Sequence, residues 1–175
     1  MKKIRLILYS IIALLLLFVI GSLFLPSQVH IERTLTIKAS DGEVFNQVNN
    51  LKNWEKWSPW HQLDPNIKIT YSEPASGEGA YYSWTSEDQR VGEGKLTIKQ
   101  SIPAQLIVTE MDFMKHGKSE GKFTFEKTNE GTKITWSMDT NMGMHPVKKY
   151  FGLFMKNMVG DDFEKGLNTL KKLME

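Results

Sequence analysis

The chain has 175 residues, 41% of them hydrophobic and 24% charged, which leaves room for one packed domain with a short appendage and excludes a disordered chain. Its formal net charge of +2 comes from Lys2, Lys3 and Arg5, the only charged residues ahead of Glu32; the remainder carries 19 basic against 20 acidic residues, so no positive field awaits a nucleic acid. Cysteine is absent, which excludes disulfides, a thiolate zinc site and a nucleophilic thiol.

From Leu6 to Leu25 run 20 residues without a charge, enough at about 1.5 Å per residue to cross a hydrocarbon core of about 30 Å. A cleaved signal peptide has a shorter apolar region and a small-x-small site, whereas Gly21-Ser22 is the only small pair here and is flanked by Ile20 and Leu23. Residues 1–28 are therefore expected to be an uncleaved single-pass anchor with its linker. The preceding positive charges keep the N-terminus cytoplasmic and put a domain of residues 29–175 in the periplasm or outside the cell.

Beyond Pro26, Val29 to Ile37 alternates apolar and polar residues with period two, a first strand. Ser40 or Asp41 can cap a short helix with Glu43 in its first turn and Val44, Phe45 and Val48 on one face. Leu51 to Trp57 continues helically until Ser58-Pro59 stops it. After a turn at Asp64-Pro65-Asn66, strands are expected at Ile67–Ser72, Ala80–Thr85, Gly92–Gln100, Ala104–Phe113, Lys118–Lys127 and Thr132–Asn141. The turn chemistry of His116-Gly117 and Asn129-Glu130-Gly131 makes the last ones an antiparallel meander. From Pro146 to Met174 the apolar residues Val147, Tyr150, Phe151, Phe154, Met158, Phe163, Leu167, Leu170 and Met174 recur at mostly three to five, a long amphipathic helix with close packing or a bend near Gly160.

This order of elements resembles the α+β helix-grip fold of the START-like superfamily, a curved antiparallel sheet of about seven strands around a C-terminal helix. Trp54 to Pro59 with Trp60, Asp64-Pro65-Asn66, the stretch Gly77 to Trp84, Gly92-Glu93-Gly94 and Asp162 to Leu167 resemble its polyketide cyclase/dehydrase branch, the SRPBCC proteins. The resemblance implies a hydrophobic or amphipathic small molecule, lipid-like or polyketide-like, held between sheet and helix, with no cofactor. Its ligand contacts would include Trp57, Trp60, His61, Tyr82, Trp84, Trp136, Met138, Phe151, Phe154 and Met158.

The residues themselves leave alternatives open. Three of the five tryptophans fall within Trp54–Trp60, either a lid on the core, a pocket entrance, or an exposed patch for a partner protein. Phe123 and Phe125 share one strand face, as do Ile134, Trp136 and Met138, and the helix face of Phe151, Phe154 and Met158 is expected opposite them. His61 is a surface histidine or a polar contact at a pocket mouth; Glu110 is a solvent-facing carboxylate or a buried base. An enzyme of cyclase, dehydratase or hydrolase type would rest on one of those two. His30, His61, His116 and His145 lie too far apart for a metal motif, and Gly117-Lys118-Ser119 lacks the glycine and helix of a phosphate loop. No serine lies in a nucleophile elbow.

Overall fold

In the computed structural model the N-terminal apolar run forms α1, Lys2–Leu23, a helix long and apolar enough to cross a membrane. The structure describes residues 2–62, 64, 66–88, 91–114 and 117–175, apart from the side chain of Gln62. Pro65 and His116, each part of an expected turn, fall outside that set.

Seven antiparallel strands follow the expected alternation closely: β1 Gln28–Ile37, β2 Lys68–Tyr71, β3 Tyr81–Thr85, β4 Glu93–Ile102, β5 Leu106–Asp112, β6 Lys118–Thr128 and β7 Gly131–Asn141. They form one sheet in the order β1-β7-β6-β5-β4-β3-β2. The meander is thus completed by β1, which crosses to pair with β7 from Gln28 opposite Asn141 to Ile37 opposite Thr132. A register shift between Ile98 and Gln100 in β4 interrupts the ladder with β5, a feature that bends strands and strengthens their twist.

Between β1 and β2 lie α2, Asp41–Asn49, and two 3₁₀ turns, Leu51–Lys56 and Pro59–Gln62. A capping box starts α2: Ser40 Oγ accepts from the Glu43 amide, and the Glu43 carboxylate accepts from the Ser40 amide. The segment expected to continue helically tightens instead to 3₁₀ geometry. Trp54 Nε1 donates to the Val48 carbonyl at 2.8 Å, which fixes the turn against the end of α2.

The last helix, α3, spans Pro146–Met174 without interruption. Its inward face carries Phe163, Leu167 and Leu170, as the periodicity implied, but its first half turns a different face inward. Gly152 approaches Val29 and Met142, and Gly160 lies against the Arg33 guanidinium. Phe151, Phe154 and Met158 are about half exposed or more, at 51%, 69% and 52%; their expected position opposite the sheet is corrected. The reason is helical geometry. Phe154 precedes Phe163 by nine residues, about two and a half turns, so it points the opposite way.

Gly166 is where α3 meets the core most tightly. A Cβ there would sit 3.0 Å from both the Pro59 ring and the Trp136 ring, and Trp136 is itself held between other rings. Gly166→Ala should therefore lose net stability of about 1 kcal/mol, crowding outweighing the gain in helix propensity. Gly42→Ala, which meets nothing within 4 Å in α2, should be neutral or mildly stabilising. Urea unfolding of the full chain in detergent micelles measures both; a stabilised Gly166→Ala would contradict this packing.

Candidate functional site

Alternation on β6 and β7 sends Phe123, Phe125, Ile134, Trp136 and Met138 to one face of the sheet, and all five are buried there. Trp136 is the centre of this face. It stacks on Phe163 of α3 with centroids 4.0 Å apart and planes 8° from parallel, and on Phe123 at 4.9 Å. Trp54, Trp57 and Trp60 meet it edge-on at 6.2, 5.7 and 5.5 Å. Trp54 and Trp57 are fully buried and Trp60 partly so, so the cluster closes the core and offers no exposed tryptophan patch to a partner protein.

A second row of rings runs along the neighbouring strands. Tyr82 sits between Tyr71, Trp84 and the imidazole of His61, at 6.0, 5.7 and 5.3 Å, and Trp84 meets Phe113 at 6.1 Å. Trp84 can lie flat because Gly94, its cross-strand partner, has no side chain; a Cβ at Gly94 would run into the indole. Thus one glycine of Gly92-Glu93-Gly94 makes room for a ring.

The junction of the two 3₁₀ turns, from Trp57 to His61, brings polar atoms to this aromatic wall. Trp57 Nε1, Ser58 Oγ and both ring nitrogens of His61 are buried without a hydrogen-bond partner among the described residues. Leaving a buried polar group unpaired costs about 1–3 kcal/mol, and these atoms fall within five residues of one another. Burial depresses the His61 pKa below its ordinary value, partly opposed by the Glu55 carboxylate, so the imidazole is neutral near pH 7. Burial also pushes the Tyr82 hydroxyl well above its usual value, and Tyr71 donates to the Glu55 carboxylate at 2.6 Å.

The structure brings Trp57, Trp60, His61, Tyr82, Trp84, Trp136 and Met138 to one side of the sheet, and it sets Phe151, Phe154 and Met158 apart. Glu110 is set apart as well. It lies on the opposite face of β5 from Ile107, Thr109 and Met111, with Lys118 Nζ at 3.2 Å and Lys99 Nζ at 4.0 Å, so its reading as an interior base is corrected. Sequence reasoning missed Ser58, whose hydroxyl passes for part of a Ser-Pro helix stop. An open surface concavity lined by Lys38–Asp41 and Lys127–Thr132 lies at the other end of the sheet, away from these rings.

A seven-stranded curved sheet, a C-terminal helix locked to it through stacked rings, and paired short turns over one end define a START-like helix-grip domain. The chain belongs to the polyketide cyclase / dehydrase and lipid transport family, whose model matches residues 28–175. Among solved structures it is similar to a Staphylococcus aureus protein of unknown function, at 10% identity and a TM-score of 0.64 over 84% of this chain and 93% of that one. It is similar also to the di-domain ARO/CYC protein StfQ from the steffimycin biosynthetic pathway, at 11% identity and a TM-score of 0.64 over 84% of this chain and 50% of that one. The Aha1 dimer structure from Colwellia psychrerythraea matches at 16% identity and a TM-score of 0.59 over 84% and 96%. These likenesses are of fold. No curated protein matches the chain.

The buried imidazole makes stability depend on pH. As pH falls through about 6.5 the unfolded chain binds a proton at this histidine, but the folded chain, with its depressed pKa, does not. Stability attributable to His61 is therefore full above that pH and declines below it until the folded-state value is reached. The urea midpoint of the wild type should drop between about pH 7.5 and pH 5 more than that of His61→Phe; equal slopes would contradict a desolvated His61.

Proposed function

We propose that this domain binds an amphipathic, lipid-like molecule at the end of its aromatic interior while α1 tethers it to a membrane. The observation that carries the reading is the group of unpaired buried atoms between Trp57 and His61, namely Trp57 Nε1, Ser58 Oγ and the His61 ring, with His61 against Tyr82 and Tyr82 against Trp84. Two donors and a neutral imidazole, which can donate or accept, suit a carboxylate, hydroxyl or phosphate headgroup. The neighbouring rings suit a chain or fused-ring body. The family's description as lipid transport supports this reading.

The rings beneath Trp136 are stacked at contact distance, so the ligand occupies the Tyr82–Trp84–Phe113 side and enters by displacement of the half-buried Trp60 and of His61. Ligand contacts are accordingly assigned to Trp57, Ser58, Trp60, His61, Tyr82 and Trp84. Binding is favoured over acid-base catalysis because Glu110 is on the other face and no carboxylate hydrogen-bonds His61 among the described residues. In this reading the chain is a single-pass protein of the cell membrane, with Lys2, Lys3 and Arg5 on the cytoplasmic side and residues 29–175 periplasmic or extracellular.

Retained molecules test this directly. Full-length protein, exchanged into nanodiscs of one synthetic phosphatidylcholine and then extracted for mass spectrometry, should release an amphipath in excess over empty discs. Ser58→Ala/His61→Phe should release at least tenfold less, the loss expected when about 1.4 kcal/mol of polar contact is removed. Wild type and double variant both indistinguishable from empty discs would overturn the proposal.

A further inference from the structure

Helix α3 presents two apolar faces, and only one of them is used by the fold. On the outer face Val147, Phe151, Phe154 and Met158 follow one another at intervals of four, three and four, a continuous stripe on a helix, each more than half exposed. Met144, just ahead of the helix, and Phe24, just after α1, are more exposed still, at 74% and 85%. A stripe of this size on a water-facing surface marks an interaction site.

What covers it is indicated by the contact between α3 and α1. The Tyr150 ring stacks on Phe18 with centroids 4.5 Å apart and planes 16° from parallel, and its hydroxyl donates to the Phe18 carbonyl at 3.2 Å. Gly21 is the position in α1 that leaves space for this hydroxyl. Phe18 lies seven residues before Leu25, about 10 Å inside the end of the apolar run. That run is only as long as a hydrocarbon core is thick, so a side chain docked on Phe18 is at or below the level where lipid begins.

Charge agrees with this placement. Between Asp139 and Asp161 there is no acidic residue, while Lys148, Lys149 and Lys156 lie within the same stretch, and Lys148 and Lys156 are exposed. Cationic, apolar and free of acids, this half of α3 has the composition of a helix lying in the interface of an anionic bilayer, its lysine stems reaching to headgroups. Acidic residues return at Asp161, Asp162 and Glu164, in the half that packs on the sheet.

We infer that the first half of α3 is a membrane-surface element: Val147, Phe151, Phe154 and Met158 are immersed in the leaflet that α1 enters. This rests on the proposed membrane anchoring by α1 and adds a second point of contact to it. Because β1 begins directly after α1, the sheet end that holds Gln28, Asn141, Lys118 and Asp112 is the end next to this surface. β2 begins at that same end, with Lys68 paired to Thr85 and Thr85 to Glu93, and His61 packs on Tyr82 three residues back along β3. An amphipath would pass between bilayer and His61 without crossing bulk water.

The chain has no cysteine, so single-cysteine variants of the full protein report single positions. Ile12→Cys in α1, Phe154→Cys and Val147→Cys on the stripe, and Glu130→Cys at the β6–β7 turn are labelled with an environment-sensitive fluorophore. The proteins are then placed in vesicles of phosphatidylcholine and phosphatidylglycerol that contain doxyl-labelled lipid. Positions 12, 147 and 154 should be quenched and blue-shifted, and position 130 neither. Quenching at 12 with 147 and 154 behaving like 130 would overturn the inference and leave the anchor standing. No quenching at 12 would remove the anchor and this inference together. Oxidation of Phe154→Cys to a disulfide dimer without lipid quenching would assign the stripe to a second copy and overturn it as well.

Discussion

The rest of the structure depends on the stack Phe123–Trp136–Phe163, in which a strand indole lies between a ring of the neighbouring strand and a ring of the C-terminal helix. Large aromatic side chains bury more area than any others, and offset stacking adds roughly 0.5–1.5 kcal/mol per pair. Trp136 thereby fixes the rotation of α3 about its own axis. With Phe163 held inward, Gly152, Gly160 and Gly166 must face the sheet, and Phe154 must face away. The same indole braces Trp54, Trp57 and Trp60, so the 3₁₀ turns that carry Ser58 and His61 are positioned by it too.

Much of this architecture was legible in the sequence, because half-buried antiparallel strands announce themselves by period two. Strands expected at Gly92–Gln100 and Thr132–Asn141 form within two residues of those limits. The capping box at Ser40 and Glu43 was equally local, and equally readable. The outer face of α3 departs from the expected single stripe for a geometric reason. Spacings of three to five do not by themselves keep residues on one stripe, and Phe151, Phe154 and Met158 stand about 120° to 180° round the helix from Phe163. The glycines of α3 mark the face that packs on the sheet.

The site was only partly legible. His61 and the tryptophans drew notice by composition, but nothing local says that the Trp57 indole and the Ser58 hydroxyl would be buried without partners. That property belongs to tertiary packing. Glu110 shows the limit of alternation: it follows the apolar run Leu106 to Val108 and Thr109, yet Lys99 and Lys118 from flanking strands lie with it on the outer face. Those partners are 11 and 8 residues away in sequence, and only pairing reveals them.

In the account offered, the polar edge of the aromatic interior exists to meet a headgroup, and the indole N–H of Trp57 is its most specific reporter. Five tryptophans give five indole resonances in a nitrogen–proton spectrum of the full chain in nanodiscs. On addition of an amphipath recovered from the protein, the Trp57 resonance should move as its N–H gains an acceptor, while that of Trp54, already bonded to Val48, stays in place. A Trp57 resonance that is unmoved at saturation, or that moves no more than Trp54, would contradict the account.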